Sequence, residues 1–537
     1  MIEYNPLPYM GYVDANNHFL NSLIGGLLIR ITGSDADWVI RLASVMAFPI
    51  YFWSVYAFRK FFQNKSSFYL FMTVFCGTMF LLDYFNLARG YGLSLAFLML
   101  GLQQSFDYIY EPTNKKPYII SIAWFLAVFS NLTLIPFALI GLGYMLLFQM
   151  KNKKYWSMIP LLLILMPLLY LIQYSLHLKE IGKLYYGGQD GFYENTVNSL
   201  ANYVWEPWTY LNWIFVSLVF ILSVIVLIKV LAKNWNVFDL KLIFPGLLIL
   251  AVANILLQHY LLGINFPEDR SALYLLVFFF GALVFTIDYF KIPYVSYSLI
   301  FPSLILFGFK VNFTHSTFWS YEHFDKELLT KMEPEIQGAP PTTGGRFWTM
   351  DNELTRTTNI PGRVLQDVHF PQDTILDYLV LNKGVLPEVH SGLYERIHED
   401  PISKIQLFKR KNFLNRQFVE SKEFNFDTVE EFIGVFNRIP EGTYIIRVKG
   451  HLEEMNIHRR PLLVVSLDDN KKSQNYTYLA YNFVESLPIN ESKQIHFDLT
   501  FGVNQFPEAN SLSVYFWNTK KFQLKGKGIV EIYEIVN

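Results

Sequence analysis

The 537 residues are 52% hydrophobic and 18% aromatic, with a mean hydropathy of +0.25. That is too apolar for an ordinary soluble protein, and 49 Phe with 34 Tyr suits lipid-facing helices with interfacial rings. A formal charge of −1 removes the electrostatic case for nucleic acid, and a single cysteine, Cys76, removes any internal disulfide.

Met1 to Gly11 carries neither the basic nor the apolar segment of a signal peptide. Asp14-Ala15-Asn16-Asn17-His18 then packs a carboxylate, two amides and an imidazole into five residues. Asp14 suits a helix N-cap, and equally a catalytic or metal-binding carboxylate at a helix N-terminus; the two roles are compatible. Along Phe19 to Ile31, Leu20, Leu23, Ile24, Leu27, Leu28 and Ile31 recur at three- and four-residue spacing. This predicts either an amphipathic helix in the membrane interface or a plain packing helix.

Apolar spans follow at 38–58, 67–83, 91–107, 118–131, 132–150, 155–176, 209–231, 240–262, 271–290 and 294–312, about ten in all. Alternate connections are basic, with Arg59, Lys60, Lys65, Lys115, Lys116, Lys151, Lys153, Lys154, Lys229, Lys233, Lys241 and Lys291, and the positive-inside bias makes them cytoplasmic. Asp14, Asp83, Asp190, Arg270 and all that follows Asn312 then face outward. An even span count puts the N-terminus outside as well, which leads us to expect a further helix upstream of Met1.

Past Asn312 the composition turns polar. We expect three parts: a membrane domain at 1–312, a mixed extracytoplasmic linker region at 313–414 that ends in a strand-like Lys404 to Lys411, and a β domain at 415–537. In the last part, alternating runs such as Thr443 to Val448, Pro461 to Leu467, Gln494 to Leu499, Leu512 to Trp517 and Gly528 to Tyr533 predict a β-sandwich or jelly roll.

Charged groups close to a membrane demand pairing, hydration or a function. Asp83 to Gly92 offers a second carboxylate, the guanidinium of Arg89 and two glycines that permit close approach, and an Asp–Arg brace is the plainer reading. His259 stands at a membrane edge, and Arg270 opens the ninth span, where it either snorkels or holds a lipid phosphate. Between Lys179 and Trp208, Lys183, Tyr185, Tyr186, Gly187 and Gly188 suggest a lid or an ordinary surface loop. No HExxH, CxxC, GxxxxGK[ST] or GxSxG is present, which removes the usual signatures of zinc hydrolysis, ATP-driven transport and serine esterases.

Four stretches together, DANNHFLNSL at 14–23, SDADWVIRLAS at 34–44, LARGYGLSLAF at 87–97 and FPEDRSALYLL at 266–276, resemble the bacterial branch of the C superfamily of glycosyltransferases (GT-C), related to protein mannosyltransferases and aminoarabinose transferases. The resemblance covers residues 12–312. It implies a multi-pass enzyme of the inner (plasma) membrane that takes sugar from a polyprenyl-phosphate donor to a glycan, lipid or protein acceptor, inverting the anomeric carbon. A first-loop acid acts as base, directly or through a divalent ion, Mg²⁺ or Mn²⁺. On this basis Asp14, Asp83 and His18 are the candidate catalytic residues. Asn17, Arg89, His259 and Arg270 are the candidates for substrate and lipid-phosphate binding, and Asp14 with Asp83 for the metal. In the family, the acid usually follows a helix upstream of the His motif, which this chain begins after, so Asp14 is either the base or its neighbour. Two other functions fit the same topology: a polysaccharide polymerase or ligase using lipid-linked oligosaccharide, and a non-enzymatic carrier or assembly protein whose β domain binds glycan.

Overall fold

The structure, a computed structural model, describes residues 7–9, 13–34, 36–205, 209–323, 325, 327–345, 365–366, 374–382, 390, 392–453, 461–483 and 494–536. It divides into two compact units, Met1–Phe318 and Trp319–Asn537.

The first unit is helical: α1 (Phe19–Thr32), α2 (Asp37–Ala57), α3 (Lys65–Cys76), α4 (Met79–Leu82), α5 (Gly90–Tyr110), α6 (Lys116–Ser130), α7 (Ile135–Lys151), α8 (Ile159–Leu163), α9 (Leu165–Glu180), α10 (Asn198–Val204), α11 (Thr209–Asn234), α12 (Ile243–Leu262), α13 (Leu273–Phe290) and α14 (Pro293–Lys310). A helical segment occupies each of the ten expected spans. By length and composition, six helices among the described residues could cross a membrane, or seven if α3 and the segment Met79–Phe85, bent by 56° from it, form one span. Helix α6 has 15 residues, which rise about 22 Å at 1.5 Å each, short of a hydrocarbon core of about 30 Å. Buried Gln103 and Asp107 make α5 less apolar.

Helix α13 is the axis of this unit, and most of it is buried. Its Phe285 joins Phe58, Phe71, Phe106 and Phe244 in one aromatic cluster, with ring centroids 5.0–6.5 Å apart. Gly281 admits Phe244, because a Cβ there would overlap its ring. At the far end of α13, Asp288 accepts the Gln63 and Asn64 amides at 2.9 and 3.0 Å, fixing the first turn of α3. Of the two readings of helix α1, the exposed faces favour the interfacial one. Its Asn21 is buried, while Leu23, Leu27 and Ile31 form an exposed stripe at four-residue spacing, as a helix lying against lipid would show.

The second unit holds two β assemblies. The first is a five-stranded sheet in the order β2-β1-β3-β5-β4, from β1 (Thr343–Gly345), β2 (Leu365–Gln366), β3 (Tyr378–Asn382), β4 (Tyr394–Glu399) and β5 (Ile405–Arg410). Within residues 313–414, the expected strand-like Lys404 to Lys411 is strand β5 of this sheet. The last part of the stretch is a folded sheet around Tyr378, Val380, Ile405 and Leu407, and its start, to Phe318, belongs with the helices. Pro340, Pro341 and Gly344-Gly345 read as a break, yet the glycine pair lies inside β1, where a Cβ on Gly345 would overlap the Val380 carbonyl.

The second assembly comprises β6 (Asn415–Thr428), β7 (Phe432–Arg438), β8 (Tyr444–Glu453), β9 (Leu462–Asp469), β10 (Gln474–Asn482), β11 (Ile495–Val503), β12 (Ser511–Trp517) and β13 (Leu524–Val536). The sheets run β11-β8-β13-β6 and β10-β9-β12-β7, antiparallel throughout. Eight strands in this order make a jelly roll. Alternation sets the register: Leu512, Val514 and Phe516 are fully buried, while Tyr515 and Trp517 turn outward from the shared core. Arg416, at the start of β6, pairs with Asp377 just before β3, both side chains 1% exposed.

Candidate active site

A cavity of about 340 Å³ opens at one end of the helical unit. It takes Asp14 to His18 from the segment before α1, Tyr91 from α5, Asn131 and Thr133 from the turn after α6, Lys183 to Tyr186 from the long loop, and Pro267, Arg270 and Tyr274 around the start of α13.

Two residues hold the first segment in place. Asp14 Oδ1 accepts the Asn16 amide at 2.7 Å, a side-chain turn two residues long. Arg89 Nη1 donates to Asn16 Oδ1 at 3.1 Å. His18 is the buried member. Its Nδ1 lies 2.8 Å from the Ser130 carbonyl, which only accepts, so Nδ1 carries the proton and Nε2 the lone pair. Nε2 has no hydrogen-bond partner among the described residues. Burial, reinforced by the charges of Arg89 and Arg270 and opposed by the Ser130 bond, brings the imidazole down to about 4. It is neutral at physiological pH. Gly90 makes the approach workable, because a Cβ there would overlap the Ser130 carbonyl oxygen and stand 2.7 Å from His18 Cβ.

On the same lining, the Arg270 guanidinium lies 4.6 Å from the Tyr186 ring and 5.4 Å from the Phe318 ring. Lys183 supplies a second cation on the lining. The loop that brings Lys183 is stitched down rather than left as a free lid. Gly188 and Phe266 exchange backbone hydrogen bonds at 3.2 and 2.9 Å. Asn265 Nδ2 donates to the Tyr185 and Gly187 carbonyls, Asn195 Nδ2 to Glu268, and Thr196 Oγ1 to the Pro267 carbonyl. A π-helical turn, Phe192–Val197, ends the loop.

Of the candidate residues, Asp14, Asn17, His18 and Arg270 line this cavity. Asp83 does not. It is 5% exposed, and its Oδ2 accepts the Thr317 amide at 2.6 Å, so it anchors the chain after α14. Asp14 and Asp83 therefore do not face one cavity, and the proposed shared metal does not fit. Asp14 is the one carboxylate among the described lining residues. Arg89 orients the Asp14–His18 turn from outside the lining. His259 is also outside: its Nδ1 lies 3.0 Å from the Ile264 carbonyl and its ring stacks on Phe266 at 3.9 Å. Lys183, which the sequence marks only as part of a lid or an ordinary surface loop beside Tyr185 and Tyr186, also lines the cavity.

No protein-family model matches the chain, and no curated protein does. Among solved structures it is similar to arabinosyltransferase EmbB from Mycobacterium smegmatis, at 8% identity and a TM-score of 0.37, over 98% of this chain and 60% of that one. It is also similar to ArnT from Cupriavidus metallidurans, at 11% identity and a TM-score of 0.28, over 74% of this chain and 88% of that one. The chain thus spans less than two thirds of the EmbB length. TM-scores this low leave the chemistry to the residues themselves.

Proposed function

We propose that this protein is a membrane glycosyltransferase that moves a sugar from a polyprenyl-phosphate donor to an acceptor hydroxyl on the extracytoplasmic face. One observation carries the reading: a single cavity beside apolar helices is lined by a carboxylate, a neutral imidazole and two cations from separate loops. A carrier would not need a carboxylate and two cations on one cavity lining.

Each group has a task. Arg270 and Lys183 hold the donor phosphate, with the planar fork of Arg270 oriented by Tyr186 and Phe318. Asp14 takes the proton of the acceptor hydroxyl. The acceptor oxygen bonds to the anomeric carbon on the face opposite the phosphate, the carbon–oxygen bond to phosphate breaks, and its electron pair leaves on the lipid phosphate, inverting the centre. The two cations stabilise that charge as it develops. His18 shapes the lining through its Nδ1–H bond to the Ser130 carbonyl and its edge-on packing against Tyr91, and as a neutral ring it leaves the charge of the site to Asp14 and the two cations. Asn17 lies between Asp14 and His18 on the same turn. The acceptor is a glycan, lipid or protein.

The test uses purified full-length protein in lipid nanodiscs. Undecaprenyl phosphate binding is measured directly, and transfer is followed with a panel of undecaprenyl-phosphate monosaccharides. Arg270→Ala should lose lipid-phosphate binding. Asp14→Asn should keep it and lose about 10²-fold or more in transfer. Undiminished transfer by Asp14→Asn, or undiminished lipid-phosphate binding by Arg270→Ala, overturns the assignment.

A further inference from the structure

We propose that Asp325, Glu327 and His398, at the start of the second unit, form a divalent-metal site of the Zn²⁺ type that clamps the segment before β1 to strand β4. This site is independent of the transferase reading. One ligand atom from each residue lies within 4.8 Å of the other two. Asp325 Oδ2 and His398 Nε2 stand 3.0 Å apart. A tetrahedral ion about 2.0–2.2 Å from each ligand sets the two about 3.3–3.6 Å apart, so this pair would open by a few tenths of an ångström to admit one. Bound to such an ion, the imidazole would use Nε2 as its lone-pair nitrogen, in the Nδ1–H tautomer, and the ion would replace the shared proton, off the line that joins the two atoms.

The arrangement is held from behind. Asp400 is fully buried and gathers four donors: the Asp325 amide at 3.1 Å, His323 Nδ1 at 2.8 Å, and the Ile402 and Ser403 amides at 2.7 and 3.2 Å. Through these bonds Asp400 ties the Asp325 backbone to the end of β4, which carries His398. Asp325 Oδ1 accepts the Glu327 amide at 2.9 Å, folding Glu327 back toward the same point. This is the outer shell that metal ligands require. Lys331 approaches Glu327 Oε1 at 3.4 Å from the solvent side.

Two carboxylates and an imidazole match Zn²⁺ chemistry, and three protein ligands leave room for water. A hard ion such as Mg²⁺ gains little from the imidazole. An ion here binds the folded chain only, so it raises thermal stability in proportion to its occupancy.

The experiment takes full-length protein in detergent, treated with chelator, and titrates ZnCl₂ alone, reading bound metal per chain and the melting temperature, with MgCl₂ as comparison. We expect one Zn²⁺ per chain beyond any shared background, a rise in melting temperature with Zn²⁺ and none with Mg²⁺. Glu327→Gln is isosteric and exposed, so it should fold as wild type yet bind Zn²⁺ at least about tenfold more weakly. His398→Ala should lose both the ion and the shift. Absence of saturable Zn²⁺ binding in the wild type overturns the site, and so does equal binding and equal thermal shift in wild type, Glu327→Gln and His398→Ala. Donor-lipid binding in the helical unit should be the same with and without Zn²⁺.

Discussion

Gly90→Ala is the sharpest probe of the candidate site, because the change adds one methyl group at the point where three elements meet. The added Cβ would overlap the Ser130 carbonyl oxygen and lie 2.7 and 2.9 Å from His18 Cβ and Cγ. A carbon normally keeps about 3.5 Å or more from other carbons. Relief therefore requires a shift of roughly 1 Å between the first turn of α5 and either His18 or the end of α6. Ser130 itself is fully buried, and its carbonyl is the acceptor that fixes the His18 tautomer. Overpacking of this kind costs about 1–3 kcal/mol, while a 1 Å misplacement in an active site costs about 10²-fold in rate. We therefore expect Gly90→Ala to melt a few degrees lower, insert normally, and lose most sugar transfer in nanodiscs. Gly143→Ala, where a Cβ meets nothing within 4 Å, serves as the control and should retain both. Wild-type transfer by Gly90→Ala would refute the claim that the Ser130–His18 contact organises the cavity.

Two further outcomes follow from the geometry. His18 is depressed to about 4 in the folded chain from an ordinary 6.5, so the unfolded chain binds that proton more tightly; the stability contribution is complete above pH 6.5 and is lost as pH falls from there through 4. Denaturation across that window should show the loss in wild type and a flatter profile in His18→Gln, and identical profiles would place His18 in water. In the second unit, Arg416→Ala leaves the buried Asp377 carboxylate, among the described residues, with the Thr342 amide and hydroxyl, each at 2.7 Å, and should cost about 3–5 kcal/mol; calorimetry showing an unchanged β-domain transition would refute it.

Much of the fold was legible because its periods are simple. The run Leu512-Ser-Val-Tyr-Phe-Trp buries every second residue in a jelly-roll core, so the alternation that named the strand also named its inward face. The helices of the first unit could be read from their apolar runs, though only six or seven of them among the described residues are long and apolar enough to cross a membrane, against the ten expected. The five-stranded sheet could not. Strand β1 is Thr-Gly-Gly, with no side chains to alternate, and it is specified by the close approach of Val380 rather than by any local pattern. Helix α1 was legible as apolar and short, but which face turned inward was not, because Asn21 is satisfied by the Ala88 carbonyl 67 positions away.

The same distinction sorts the candidate site. Asp14 and Asp83 are both acids near helix ends, and composition gives no reason to prefer either. What separates them is the Thr317 amide, 234 positions after Asp83, which turns that carboxylate into an anchor. His259 is removed in the same way by Phe266 and the Ile264 carbonyl, while His18 keeps a buried nitrogen with no partner among the described residues. A burial that leaves a hydrogen-bonding atom unsatisfied is destabilising unless something compensates. That difference separates the two imidazoles by position rather than by composition: His18 packs against Tyr91 and the Ser130 carbonyl on the cavity lining, whereas His259 is closed off by its own turn and by Phe266.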